Sequence, residues 1–348
     1  MKKSILFFTL AAGLMATTAA VGQPRENSVP VHRPLIEEYT GTWCGWCVRG
    51  LVGMELLSQE FGEDFIGVAY HNGDAMQITT SYPNSISGYP SAYIDRTSQV
   101  DPYYGFGNTA AGIIDAMNQF AALEAIAGVD VTAQWTSADR TDIAVYVTSY
   151  FTTAKQSATY AVEVMLIADD LYGSGSSWNQ SNYYSGYTAY SNDPYLRDWV
   201  RKGSSVSGIH FNDVLIGTSG VINNSLPSDI EAYYDYNYSY TFTLSNLNNP
   251  SLVQNKDNLH IIAIVVDARS KKVINANRCY INDYVNVMSG DVDGDGNINI
   301  QDVTALINFL LKGDASMINT ANADVDADGS IKIGDVTTLI NLLLSSNN

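Results

Sequence analysis

Cysteine, histidine and basic residues are all scarce in this chain of 348 residues: three Cys, four His, and 18 Lys and Arg set against 36 Asp and Glu. Three cysteines cannot staple a small disulfide scaffold, so the fold must rest on buried apolar surface, which a chain of this length supplies for two or three domains. A formal net charge of −18 and a pI near 4.4 exclude the basic footprint that nucleic acids and anionic membrane surfaces require. His32, His71, His210 and His260 are scattered, none with the neighbours of a Ser-His-Asp triad or a zinc site, and no motif marks a carboxylate-pair glycosidase. Beyond residue 22 no stretch approaches the ~20 apolar residues that cross a bilayer.

What the N-terminus does have is Lys2 and Lys3, an apolar run from Ile5 to Ala20, and small residues through Gly22. That is the layout of a secretory signal peptide over residues 1–22, with cleavage expected between Ala20 and Gln23. The first cysteine, Cys44, lies too far along to be acylated at that point. A soluble, exported protein without a lipid anchor is expected, extracellular or surface-associated, with the periplasm as the other destination.

The most specific pattern lies at the other end. Asp291-Val-Asp293-Gly-Asp295-Gly296-Asn297-Ile-Asn299-Ile300-Gln301-Asp302 recurs 33 residues later as Asp324-Val-Asp326-Ala-Asp328-Gly329-Ser330-Ile-Lys332-Ile333-Gly334-Asp335. Calcium takes about six to eight hard oxygen ligands. The spacing supplies carboxylates at loop positions 1, 3, 5 and 12, a carbonyl at 7 (Asn297 or Ser330), a ligand or water site at 9, and a glycine for the sharp turn at 6. Position 9 is Asn299 in the first loop but Lys332 in the second, which makes the second the weaker site. Each loop runs into an apolar stretch of helical period, Val303 to Leu311 and Val336 to Leu344. Crowded carboxylates repel one another until a cation neutralises them, so metal binding and folding are expected to be one event.

An ordinary EF-hand has a helix before the loop and Glu at position 12; here that helix is missing and position 12 is Asp. With the Asp-Val-Thr-x-Leu-Ile-Asn run after each loop, residues 290–348 resemble a type I dockerin, a small α module of two loop-helix F-hand repeats. The resemblance implies two calcium ions and docking onto a cohesin domain of a scaffold or surface protein, of the cellulosome kind that degrades polysaccharide. It also implies cohesin-facing residues, here Ile300, Gln301, Ile307 and Asn308, then Ile333, Gly334, Ile340 and Asn341. The helix pairs are identical in the two repeats, which allows docking in two orientations, while Ile300 and Ile333 make the contact more apolar than usual.

Two of the three cysteines sit in Trp43-Cys44-Gly45-Trp46-Cys47. A C-x-x-C can be half a zinc site, a structural disulfide or a redox pair, and no second ligand pair favours zinc. Arg33 to Tyr39 reads as a strand and Val48 to Phe61 as a helix, so the pair stands at a strand-to-helix junction. The W-C-G-W-C motif and Gly88-Tyr89-Pro90-Ser91 resemble a thioredoxin-like α/β domain over residues 30–127. The resemblance implies Cys44 as a nucleophile activated by the helix N-terminus, Cys47 as the resolving thiol, Glu38 as a buried proton relay with Glu37 the alternative, and Pro90 as a cis proline facing the disulfide. Cys279 falls in an expected strand as a buried apolar thiol.

From residue 128 to 288 the pattern becomes period-two, rich in Val, Thr and Tyr: 129–135, 142–150, 160–168, 236–244, 259–267 and 273–281. These strands predict an all-β, immunoglobulin-like sandwich, interrupted by a Gly, Ser, Asn and Tyr-rich insertion at 169–235 that includes Trp178-Asn-Gln-Ser-Asn-Tyr-Tyr184. Together with E-E-Y-T-G-T-W-C-G-W-C, residues 30–287 resemble the exported Omp-related outer membrane protein family, which joins a thioredoxin-like to an immunoglobulin-like domain. Two functions stay open. One is a thiol-disulfide oxidoreductase, acting on a protein thiol substrate and delivered by its dockerin. The other is a non-catalytic interaction protein with an inert disulfide and a calcium-stabilised C-terminal cap.

Overall fold

In the computed structural model, residues 23–25, 28–284 and 288–345 are described, and the expected signal peptide lies outside them. They form two compact units, residues 23–284 and residues 288–345.

The larger unit is built mainly of sheet. Its first part contains β1 (Gln23–Pro24), β2 (Leu35–Thr40), helix α1 (Val48–Phe61), β3 (Ile66–His71), β4 (Ser91–Ile94), β5 (Ser98–Val100) and α2 (Gly112–Ala121). β2 and β3 run parallel, with Leu35 beside Ile66 and Thr40 beside His71, and β4 then β5 add antiparallel on the other side. One face of these strands packs Ile36, Ala92 and Ile94 against Met54 and Leu57 of α1 and Ile113 and Met117 of α2.

The second part contributes β6 (Ala127–Trp135), β7 (Asp142–Phe151), β8 (Tyr160–Ala168), β9 (Gln180–Ser181), α3 (Arg197–Arg201), β10 (Ser205–Val206), β11 (Val214–Thr218), β12 (Tyr234–Thr243), β13 (Leu259–Asp267) and β14 (Val273–Asn282). β9 and β10 form a separate two-stranded ribbon. The other strands join one twelve-stranded ladder in the order β1-β12-β7-β6-β14-β13-β8-β11-β3-β2-β4-β5. The two expected domains, 30–127 and 128–288, are therefore linked by hydrogen bonds at β3 and β11, where Val214 pairs with Ala69.

β8 and β13 lie in the middle and explain their own sequences. Val162, Val164 and Leu166 on one face of β8 pack with Val129, Val131, Ile143 and Val145 of β6 and β7. Met165 and Ile167 on the opposite face pack with Leu35, Ile66 and Tyr70. A strand covered on both sides needs apolar residues at successive positions, whereas β7, with one face toward solvent, alternates.

One polar cluster is buried between these layers. The Arg96 guanidinium holds Glu37 Oε1 at 2.8 Å and Glu163 Oε2 at 2.7 Å, and Tyr70 donates its hydroxyl to Glu37 at 3.0 Å. Burial of two carboxylates beside one guanidinium is tolerable because the fork satisfies both.

The C-terminal unit has α4 (Ile300–Lys312), α5 (Thr320–Ala323) and α6 (Ile333–Ser345). Asn299 caps α4, accepting from Gln301 N–H, while Asp302 accepts from Asn299 N–H at 2.7 Å, a reciprocal capping box. Gly313 closes the helix in the left-handed conformation at φ 68°. Its core holds Val292, Val303, Leu306, Ala323, Val336 and Leu339, with Val303 and Leu306 answered by Val336 and Leu339 one repeat later. So small a core falls short of the entropy of ordering the segment, and a bound metal is a common remedy.

Candidate functional site

The two expected metal loops fold as compact carboxylate cups. Carboxylate oxygens of Asp291, Asp293 and Asp302 lie within 4.8 Å of one another, as do those of Asp324, Asp326 and Asp328. Loop backbone shapes each cup: Gly296 N–H donates to Asp291 Oδ2 at 3.2 Å, and Gly329 N–H to Asp324 Oδ2 at 2.9 Å. Both glycines have positive φ, 85° and 83°, which is why glycine stands at position 6 of each loop. Asp291 Oδ1 is buried with no hydrogen-bond partner, so a cation is the group that would satisfy it. Desolvation, then repulsion from Asp302, Asp295 and Asp291, raises the Asp293 carboxyl above the ordinary range; Asp326 is raised in the same way, with Asp335, Asp328 and Asp324 as neighbours.

The two loops differ at their last third. Asp302 uses both carboxylate oxygens on backbone N–H groups of Asp293 and Asn299, and Asp335 does likewise with Val325, Asp326 and Lys332. Asn299 Oδ1 is taken by Gln301 N–H, whereas Lys332 sends its ammonium to Asp328 Oδ2 at 3.4 Å, placing a competing cation at the second cup. A Cβ at Gly334 would lie 2.7 Å from Asp326 Oδ2, which accounts for glycine where the first repeat has Gln301. Asp295 and Asp328 each accept from the backbone two residues on, at Asn297 and Ser330.

At the other expected site, Cys44 and Cys47 are joined in a disulfide between β2 and α1. Cys44 is 6% exposed and Cys47 is fully buried. Glu38 is buried on β2, and an added Cβ at Gly50, one turn beyond Cys47, would fall 1.7 Å from its Oε1. Burial, with some repulsion from Asp101, pushes this carboxyl up to about 8, and its Oε1 has no hydrogen-bond partner. Glu37, the alternative relay, is instead committed to Arg96. Glu38 also lines a cavity of about 810 Å³ shared with His71, Asp213 and Arg278. The Tyr89–Pro90 peptide is cis, and the Tyr89 ring meets Trp43 edge-on at 5.4 Å, bringing this turn beside the C-G-W-C segment. Cys279 sits half-buried in β14, its thiol pushed up to about 12 by burial.

Sequence reasoning missed what lies along the C-G-W-C segment. Part of the insertion, residues 177–184, lies along residues 42–46: Ser181 N–H donates to Thr42 O at 2.7 Å, the Gln180 side-chain amide to Cys44 O at 2.9 Å, and Tyr183 N–H to Gly45 O at 3.1 Å. Trp46 meets the rings of Tyr183, Tyr184 and Tyr187 edge-on. The one available cue was the aromatic run of the insertion.

Residues 289–344 match the family model of the dockerin type I domain. The C-terminal unit is a type I dockerin. No curated protein matches the chain. Similar solved structures include HBP35 of Porphyromonas gingivalis, 14% identical, covering 73% of this chain and 77% of that one at a TM-score of 0.49. They also include protein AGR_C_4864 from Agrobacterium tumefaciens, 11% identical, covering 73% and 96% at a TM-score of 0.40. A domain of the outer membrane lipoprotein Omp28 from P. gingivalis is 17% identical, covering 46% and 92% at 0.24. At these scores the likeness fixes neither fold nor activity.

The dockerin match implies calcium binding and a cohesin partner. Of the residues expected to meet cohesin, Ile300 and Ile333 are 68% and 70% exposed, and Ile307, Ile340, Gln301, Asn308 and Asn341 are also exposed, whereas Gly334 is half-buried against Asp326. Leu311 and Leu344 extend the same apolar stripe by one helical turn in each repeat. Large apolar side chains left in water at matched positions mark surface kept for a partner. Among the described residues no helix is long and apolar enough to cross a membrane.

Proposed function

We propose that this is an exported, modular protein that the dockerin fastens, in a calcium-dependent manner, to a cohesin-bearing scaffold on or outside the cell, in a polysaccharide-degrading assembly. The observation that carries the reading is the pair of carboxylate cups, one with a buried, unpartnered oxygen at Asp291, on helices that each leave isoleucines exposed. In this reading each cup takes one calcium ion. Asp291, Asp293, Asp295 and Asp302, with Asn297 and Asn299, hold the first; Asp324, Asp326, Asp328 and Asp335, with Ser330, hold the second. The ion supplies the positive charge that lets the carboxylates converge. Ile300, Gln301, Ile307 and Asn308, or their equivalents Ile333, Gly334, Ile340 and Asn341, then meet cohesin. Capture of the full chain on immobilised cohesin tests this: retention in calcium and release by a chelator is expected, and equal retention in both would refute it.

We further read residues 30–127 as a thioredoxin-like domain and 128–288 as an immunoglobulin-like sandwich, with C-G-W-C as a thiol-disulfide exchange centre. The strand-disulfide-helix arrangement and the buried Glu38 beside α1 support it. A substrate thiolate attacks Cys44 Sγ, a mixed disulfide forms and Cys47 leaves as thiolate; a second substrate thiol then frees Cys44, so two thiols are oxidised for one disulfide reduced. Glu38, protonated below about pH 8, gives its proton to Cys47 as that thiolate forms. Pro90 shapes the turn beside the pair. The competing reading, an inert disulfide in a non-catalytic scaffold, draws on the near-complete burial of both cysteines. Reduction of the folded protein by dithiothreitol, followed by alkylation of Cys44, separates them: a pair that opens only on unfolding is inert.

A further inference from the structure

The insertion does more than fill space. Its segment 177–184 takes the carbonyls of Thr42, Cys44 and Gly45 in succession, two through backbone N–H groups and one through the buried Gln180 amide. An extended peptide presenting a thiol to a disulfide uses backbone hydrogen bonds of this kind to align itself. The cover is also anchored from behind, where Asn182 Nδ2 donates to Trp199 O at 2.8 Å and Gly203 O at 3.0 Å. In front, the Tyr183 ring rests directly on Gly45: an added Cβ there would meet the ring at 2.3 Å. Tyr183 itself is 59% exposed, so it covers the site from the solvent side without belonging to the core.

We propose that residues 177–184 act as an intramolecular stand-in for a substrate strand, and that Gln180 and Tyr183 determine which thiols reach Cys44. Small thiols approach through the remaining opening, while a thiol on an extended chain must first displace the cover. The inference rests on the exchange reading of the C-G-W-C site. The reaction is unchanged: the incoming thiolate bonds to Cys44 Sγ, Cys47 departs as thiolate, and the second thiol of the same reductant completes its own disulfide.

The test compares second-order rates of reduction of the full chain by dithiothreitol and by an extended Gly/Ser peptide carrying two cysteines. Tyr183→Ala removes the exposed ring, and Gln180→Ala removes the amide that holds Cys44 O. In both variants the peptide rate is expected to rise about tenfold, roughly the worth of the one contact each removes, the Trp46–Tyr183 ring contact or the Gln180 hydrogen bond, with the dithiothreitol rate little changed. A general loosening of the fold would accelerate both reagents alike, so equal acceleration, or none with either, overturns the proposal while leaving exchange intact. If neither reagent reduces the folded wild type or its variants, the exchange reading itself fails and this inference with it.

Discussion

Replacing Glu38 with Gln isolates what a buried carboxyl with one oxygen left unpartnered does to this fold. Burial lifts its pKa from the ordinary 4.5 to about 8, so the folded protein keeps a proton that the unfolded chain releases near pH 4.5. The stability this group contributes is fully present below the unfolded value and is lost as pH rises through the folded one. Each pH unit across that window costs about 1.4 kcal/mol, so the loss between pH 4.5 and 8 is on the order of 5 kcal/mol. Such a loss rivals the whole stability of many domains. Glutamine has the shape of the protonated acid and no charge to release. At pH 5 the variant should match wild type within about 1 kcal/mol, and at pH 8.5 it should be more stable by several kcal/mol. Urea unfolding at fixed calcium, with the disulfide intact, measures this, and all five tryptophans lie before residue 200, so their fluorescence reports the larger unit alone. Asp213, also raised by burial, is repelled in part by Glu38, so removing that charge relieves it and adds to the variant's advantage at high pH. A stability difference that stays constant from pH 5 to 8.5 would refute the reasoning.

Arg96→Met should destabilise the larger unit by about 3–5 kcal/mol, because Glu37 and Glu163 would be left buried without their cation; urea unfolding at neutral pH reads it. Gly50→Ala places a methyl group 1.7 Å from Glu38 Oε1 and should cost about 1–3 kcal/mol in the same assay. The Asp302→Ala, Asp335→Ala double variant should bind no calcium by calorimetry, and unchanged binding would remove the loop assignment. Lys332→Asn, which withdraws the ammonium from Asp328, should tighten the second loop a few-fold and leave the first unaltered.

Much of this architecture was legible because each element has its own local signal. The strands expected at 160–168 and 259–267 coincide with β8 and β13, since apolar residues on both faces leave a continuous run with sharp polar ends. The dockerin helices begin at Ile300 and Ile333, three residues ahead of the apolar stretches, because the capping carboxylates Asp302 and Asp335 belong to the loop and to the first turn at once. Long-range arrangement left no such trace. β11 is five residues long and short of any periodic signal, yet it joins β3 to β8 and makes one ladder of two expected domains. The segment lying along C-G-W-C is held largely by backbone carbonyls: Gln180 reaches Cys44 O across 136 residues, and nothing in the residue type at position 44 records it. Gly50 and Glu38 were each visible alone, but their mutual fit exists only once α1 packs on β2.

The central claim is that the two C-terminal cups are calcium sites whose filling holds the dockerin in its docking shape. Calorimetric titration of the chelator-stripped full chain with calcium tests it most directly: two ions per chain are predicted, the first at the Asp291 loop and the weaker at the Asp324 loop beside Lys332. A chain that takes up none, or that binds the same number when Asp302 and Asp335 are both alanine, would contradict it.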